Sequence, residues 1–208
     1  MTRFFTHSFN PPGYITAKLS DTIAERIAKD VAEIENNNFE GYANGDSALA
    51  GHLTHQLDFP QGREYLNEIV LVSAAEYAMR FRFPNYSTEC VPVLKDLWIN
   101  FQKKHDFNPV HEHTGDLSFV IWHRIPYDLD NEMNVYKEGL DSAKTSTFQF
   151  FYNDTLGKLC NKTLHISKEW ENVICMFPAQ LNHCVYPFYT SDDYRISIAG
   201  NVSFIQQA

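Results

Sequence analysis

Long apolar runs are missing from this chain of 208 residues. Nowhere do the roughly eighteen consecutive apolar residues of a membrane-crossing helix occur. The opening "MTRFFTHSFNPPGYITAKLS" also lacks the basic stretch and following apolar run of a secretory signal. Cysteine is scarce: the four, at positions 90, 160, 175 and 184, form no CxxC pair and no dense framework. A core of this size needs no disulfide staples, so the expected compartment is a reducing cytoplasm. Basic residues are outnumbered, 17 Lys and Arg against 26 Asp and Glu, giving a net charge of -9. A field of that sign repels nucleic-acid phosphates and anionic membranes, which makes both unexpected partners. Local basic stretches such as "MRFRF" and "FQKKHDF" soften that argument without reversing it. Internal repeats and low-complexity segments are absent as well.

What is present suits one globular domain spanning 1–208. Aromatics make up 14% of the chain, with 16 Phe and 11 Tyr, a content that fits the pleated, half-buried surface of sheets. Residues 20–35, "SDTIAERIAKDVAEIE", carry Ile23, Ile27, Val31 and Ile34 at helical spacing behind Ser20 as N-cap. A polar, turn-rich loop follows. A second helix is expected from about Gln61 to Arg80, with Tyr65, Ile69, Val72 and Tyr77 sharing a side and Pro84 setting its end. Residues 1–90 therefore read as mostly helical. From about 95 to 206 the chain turns to short aromatic or β-branched runs divided by turns: "KDLWINFQKK", "LSFVIWHRI", "TSTFQFFYND", "KLCNKTLHIS", "ENVICMFPA" and "YRISIAGNVSF". The layout is α+β, mainly β, with the sheet half folded as a barrel or jelly roll. Residues 126–145, "PYDLDNEMNVYKEGLDSAKT", read as a polar, acidic insertion over the sheet.

Chemistry concentrates in two stretches. In "NPVHEHTGDLSFVIW", a strand would place His111 and His113 on one face and Glu112 on the other. Neutral imidazoles of that kind suit Fe(II), Zn, Cu or Ni. Alone, such a pair is commonly a surface feature. A third ligand candidate is His183 in "FPAQLNHCVYPFYTSDDYRISIAGNVSF", placed where a returning strand would begin. Twelve residues on, Arg195 and Ser197 share one face of "YRISIAG", pairing a guanidinium fork with a hydroxyl as a carboxylate clamp. Cys184, beside His183, has the parity of a small buried residue turned away from any metal.

The order HxH, apolar strand, FPxxLxHxVxP, RxSxxxN resembles the iron(II)- and 2-oxoglutarate-dependent oxygenases. The resemblance is nearest to a group of small oxygenases from bacteria and viruses, and it covers about 97–122 and 171–204. It implies a double-stranded β-helix, a cupin-like jelly roll, with the N-terminal helices packed outside. It also implies Fe(II), 2-oxoglutarate as cosubstrate and O2, with hydroxylation of a substrate and release of succinate and CO2. His111 and His183 would bind the metal, and Arg195, aided by Ser197, the distal carboxylate of 2-oxoglutarate. Asn100 would reach the proximal carboxylate if its face is inward, although Trp98 and Gln102 share that face. The wider superfamily carries Asp or Glu two residues after the first His, where this chain has His113. Three residues compete for that place: His113 itself, Asp116 brought round by the "TG" turn, and Glu112, which has the wrong parity. His113 is favoured, because strand geometry fixes its direction and the resembling group carries HxH.

Two other readings use the same residues. A cupin-type three-histidine dioxygenase would need no 2-oxoglutarate, and a non-catalytic jelly-roll module would bind a ligand or partner only. The substrate class is a small molecule or peptide, and the sequence names neither it nor an oligomeric state.

Overall fold

The computed structural model of the protein describes residues 13–43, 51–83, 89–135 and 144–206. Helix α1 (Asp21–Asn36) buries Ile27, Val31 and Ile34, the stripe its spacing predicts. Its first turn is capped by Ser20, whose Oγ accepts the Ile23 N–H at 3.4 Å. Helix α2 (Arg63–Phe81) follows a single 3-10 turn at Pro60–Gly62.

The buried side of α2 differs from the expected one. Leu66, Val70, Ser73, Ala74, Tyr77 and Ala78 are buried, whereas Val72 is 58% exposed. The run "EIVLVSAA" is apolar on most sides, so periodicity does not single out a face; the small Ser73, Ala74 and Ala78 do, because they let the helix approach the sheet closely. Pro84, expected to set the end of the helix, lies outside the described residues. Arg82 adopts a left-handed conformation (φ 51, ψ 44), and the N–H groups of Arg82 and Phe83 both close on the Ala78 carbonyl.

Ten strands are named among the described residues: β1 (Ile15–Lys18), β2 (His55–Asp58), β3 (Cys90–Gln102), β4 (Asn108–His111), β5 (Leu117–Arg124), β6 (Thr147–Asn153), β7 (Leu159–His165), β8 (Val173–Pro178), β9 (His183–Val185) and β10 (Arg195–Gln206). They form a six-stranded sheet in the order β1-β8-β5-β10-β3-β2 and a four-stranded sheet in the order β4-β9-β6-β7. Every pairing between them is antiparallel. The N-terminal part thus contributes two edge strands, β1 and β2, besides its helices. At four residues each they are too short for an alternation to be recognised in sequence.

Strands buried on both faces explain the near-continuous apolar runs of β5 and β8. Leu117, Phe119 and Ile121 of β5, with Ile174 and Met176 of β8 and Ile196 and Ile198 of β10, meet the α1 and α2 side chains. Val120 and Trp122, with Cys175 and Phe177, face the other way and pack on Phe148, Phe150 and Leu164 of the four-stranded sheet. Each large side chain so buried contributes about 1.5–3 kcal/mol over leaving it exposed. The result is a double-stranded β-helix, mainly β, with the two long helices on the outer face of its larger sheet.

Gly200, mid-strand in β10, is required by close packing: a Cβ there would sit 2.3 Å from the Asp96 carbonyl oxygen and 2.8 Å from the Phe119 ring. Gly200→Ala should lower stability by at least about 1–3 kcal/mol, the usual cost of overpacking. A chemical denaturation midpoint unchanged from wild type would refute that expectation.

The acidic insertion is partly ordered. Helix α3 (Leu129–Asn134) starts on Asp128, whose Oδ1 accepts the Asn131 N–H at 3.1 Å. Glu132 is fully buried and accepts from the backbone N–H groups of Tyr189 and Thr190 at 3.0 and 2.7 Å and from the Thr190 hydroxyl. One buried carboxylate therefore fastens the insertion to the loop that leads into β10. Residues 136–143 lie outside the described ones.

Candidate metal centre

Strands β4 and β9 pair so that His111 lies opposite His183. His113 follows two residues later, beyond the end of β4, where its N–H donates to the Ala179 carbonyl at 2.9 Å. The expectation of a strand through both histidines is corrected here: the strand stops at His111, and this anchoring to the turn after β8 replaces strand parity as the constraint on His113. The three imidazoles still converge. One nitrogen from each of His111, His113 and His183 lies within 4.8 Å of the others, and the ring centroids are 4.9, 4.3 and 5.2 Å apart.

Two of the rings are locked alike. Nδ1 of His111 is 2.8 Å from the Pro109 carbonyl, and Nδ1 of His183 is 2.8 Å from the Leu181 carbonyl. A carbonyl only accepts, so Nδ1 carries the proton and the Nε2 lone pair is left for a metal. The His183 ring is further stacked on Phe148, with centroids 5.4 Å apart and planes 17° apart. Burial, and then the neighbouring His111, push the His113 imidazole down to about 4 and that of His183 to about 3; burial also lowers His111.

These shifts have a sign. With folded values below the ordinary 6.5, the unfolded chain binds more protons between pH 6.5 and about 4. The metal-free protein should therefore lose stability as pH falls through that window. Its neutral histidines should stay competent to bind metal at pH 6. Titration of the imidazole C2 protons by NMR checks this, and a midpoint near 6.5 for either His113 or His183 would contradict it.

Neither carboxylate considered from the sequence joins the cluster. Glu112 is exposed. The Asp116 Oδ2 accepts the Phe204 N–H at 2.7 Å, while its backbone N–H binds the Val202 carbonyl, so its side chain is spent on the far end of β10.

A cavity opens beside the histidines, walled by Trp98, Asn100 and Gln102 of β3, Trp122 of β5, Phe148 of β6 and Ser197 of β10, with Gln56 and Asn108 on another side. The strand register explains the wall: Gln56 pairs with Asn100, Asn100 with Ser197 and Ser197 with Trp122, one row across the inner face of the larger sheet. Asn100 faces inward, and its Nδ2 lies 3.4 Å from Ser197 Oγ. Arg195, 1% exposed, carries a guanidinium whose acceptors among the described residues are neutral: Gln102 Oε1 at 3.0 Å, the Tyr186 carbonyl at 3.0 Å and Tyr127 Oη at 3.4 Å. The Phe188 ring lies 5.2 Å away. Cys184 is buried, as its parity predicts.

Four buried polar atoms have no partner among the described residues, Gln56 Nε2, Asn100 Oδ1, Gln102 Nε2 and Asn108 Oδ1, and all four residues line this cavity. Buried polar groups are normally paired, so their concentration here marks the place of a polar ligand. Gln56, Asn108, Tyr127 and Tyr186 escape sequence reasoning, since neutral polar residues at these positions carry no spacing signal.

The site residues fit what the fold suggests. Three neutral nitrogen donors on one side suit a borderline divalent metal such as Fe(II) with open positions. A buried cation with no ion-pair partner among the described residues suits a carboxylate. Residues 96–201 match the model of a family described as "Putative 2OG-Fe(II) oxygenase". The chain belongs to this family of 2-oxoglutarate–Fe(II) oxygenases, which implies Fe(II), 2-oxoglutarate and O2. No curated protein matches the sequence.

Among solved structures, a prolyl hydroxylase from Trichoplax adhaerens, in complex with a peptide fragment of the hypoxia inducible factor oxygen degradation domain, has a TM-score of 0.59. It is 10% identical, over 94% of this chain and 84% of that one. A prolyl-4-hydroxylase from Pseudomonas putida has a TM-score of 0.52 at 11% identity, over 94% of each chain. The non-heme α-ketoglutarate-dependent epimerase SnoN of nogalamycin biosynthesis has a TM-score of 0.58 at 11% identity, over 94% and 79%. At such identities the likeness is one of fold. No helix among the described residues is long and apolar enough to cross a membrane.

Proposed function

We propose that the protein is an Fe(II)- and 2-oxoglutarate-dependent dioxygenase that hydroxylates a small-molecule or peptide substrate, with 95–206 as its catalytic core. Substrate C–H, 2-oxoglutarate and O2 would give the hydroxylated product, succinate and CO2. The observation that carries this reading is the placement, in one jelly roll, of three converging imidazoles and a buried Arg195 that meets neutral acceptors among the described residues.

Bound iron supplies the redox chemistry that couples decarboxylation of the cosubstrate to hydroxylation. His111, His113 and His183 would hold it, the first and last through the Nε2 atoms that their Nδ1–H bonds leave free. Because these ligands are neutral, they bring no charge of their own; a dianionic cosubstrate would balance that of the metal. Arg195 supplies positive charge for the distal carboxylate, Ser197 adds a hydroxyl, and Asn100, inward on β3, stands beside the cosubstrate's path. Trp98, Trp122, Phe148 and Phe177 wall the cavity with apolar surface and keep water from the reacting atoms.

Among the described residues no carboxylate joins the cluster, which favours a second reading, a three-histidine dioxygenase that takes no 2-oxoglutarate. Anaerobic addition of Fe(II) and 2-oxoglutarate separates the two. The first reading expects the visible charge-transfer absorption of the chelate, and metal binding without it would favour the second. Failure to bind Fe(II) at all would leave only a non-catalytic module.

A further inference from the structure

We propose that Gln56 and Asn108 are the recognition point for the primary substrate, and that the group they take is an amide with its N–H intact, as in a peptide bond. This rests on the functional reading above and names the chemistry by which that cavity would select what is oxidised.

The four unpartnered buried atoms of the cavity divide by position. Asn100 and Gln102 stand on β3, whereas Gln56 belongs to β2 and Asn108 to β4, the edge strands of the two sheets. Two ties fasten the chain leading into β2 to the chain leading into β4. His52 and Phe107 form an antiparallel bridge with backbone hydrogen bonds of 3.0 and 3.2 Å, and the Asp106 carboxylate accepts from the Thr54 N–H at 2.7 Å and its hydroxyl at 2.6 Å. Gly51 makes room for the Asn108 amide: a Cβ there would sit 2.0 Å from Asn108 Oδ1 and push it aside. Asn108 faces Val185, two residues beyond His183, so a group held there lies about 7 Å along the strand from the metal ligands. Gln56 falls outside the matched residues 96–201, and family membership assigns it no role.

The unpaired atoms are of opposite kinds. Gln56 offers a donor, Nε2, and Asn108 an acceptor, Oδ1. The dianion of 2-oxoglutarate accepts hydrogen bonds and has none to give, so it leaves the Asn108 oxygen unsatisfied. The missing ligand group must both accept and donate. It should also be neutral, because no Asp, Glu, Lys or Arg among the described residues lines the cavity. A hydroxyl does both from a single atom. In a trans amide the carbonyl and the N–H point opposite ways, which calls for anchors on separate elements, as β2 and β4 supply.

The test is calorimetric titration of the full chain, loaded with Mn(II) and 2-oxoglutarate under anaerobic conditions, with N-acetyl-L-proline N-methylamide and N-acetyl-L-proline methyl ester. Proline has no N–H of its own, so the two probes differ in one N–H. The matching pair built on N-acetylsarcosine removes the side chain as a variable. Wild type should bind at least one amide about tenfold or more tightly than its ester, which leaves a buried acceptor unpaired. Asn108→Leu should bring amide and ester within about twofold, whereas Gln56→Leu should weaken both about tenfold, since both keep the carbonyl. Asn108→Asp retains the acceptor and should retain the preference, which separates a lost hydrogen bond from a damaged fold. A loaded wild type that binds no probe, or binds amide and ester alike, overturns the inference alone. So do Leu variants in which 2-oxoglutarate affinity falls as far as that for the amide, since both side chains would then serve the cosubstrate. A wild type that binds Mn(II) but not 2-oxoglutarate overturns the functional reading, and the inference with it.

Discussion

Replacing His183 with Ala should abolish tight metal binding, by about 100-fold or more, and with it any signal from the iron and 2-oxoglutarate chelate. Loss of groups that merely orient a ligand costs 10–100-fold in metal affinity, so loss of a ligand itself should cost more. His183 is the decisive choice among the three because it is the best constrained. It is 3% exposed, paired across the sheet with His111, bonded through Nδ1 to Leu181 and stacked on Phe148. Truncation also leaves a gap among Phe148, Phe150 and Phe177, expected to cost about 2–4 kcal/mol in stability by analogy with other large-to-small core changes. Fe(II) or Mn(II) titration beside a denaturation curve separates the two effects. Undiminished metal affinity in a folded His183→Ala protein would rule out the proposed ligand set.

Arg195→Met should give the complementary result: 2-oxoglutarate affinity falls by about 30-fold to 5,000-fold while metal affinity stays near that of wild type. The magnitude follows from removing one partner of a buried charge pair, about 2–5 kcal/mol. Methionine approximates the arginine stem in volume, so the loss can be read as charge and hydrogen bonding rather than packing. The change also frees the Tyr186 carbonyl and Gln102 Oε1, which lose their donors. In the metal-free protein the same substitution should be far less harmful to stability, because it deletes a buried cation that no carboxylate among the described residues neutralises. Metal and 2-oxoglutarate titrations of the variant check this, and equal weakening of both would argue for a collapsed site instead of a lost anchor.

Legibility in the sequence followed the physics of each feature. Helix α1 was readable because one polar and one apolar face alternate cleanly and Ser20 stands at the cap; α2 hid its face because apolar residues surround it. The long inner strands announced themselves by β-branched and aromatic runs, whereas β1 and β2 are four-residue edges with no pattern to read. His111, His183 and Arg195 could be singled out because their residue types are rare partners at recognisable places in the pattern. Their convergence depends on β4 meeting β9, which is long-range information. His113 lies with the other two histidines for another reason than strand parity, since a backbone bond to Ala179 beyond the strand end holds it. Gln56 and Asn108 became visible only as buried amides, each with one atom that has no partner among the described residues, and Gln102 was in view only as a residue sharing the face of Asn100.

The facing of His111 and His183 across β4 and β9 has a mechanical consequence as well as a chemical one. The chain contains no disulfide among its cysteines, and all four are free. A metal held by both imidazoles would act as a cross-link that closes a long stretch of chain, including β5 to β8, into a loop whose ends cannot part while the ion stays. Loading should therefore protect the amides of the short strand β9 from exchange far more than those of α1. Loss of the ion should loosen the smaller sheet before the helical face.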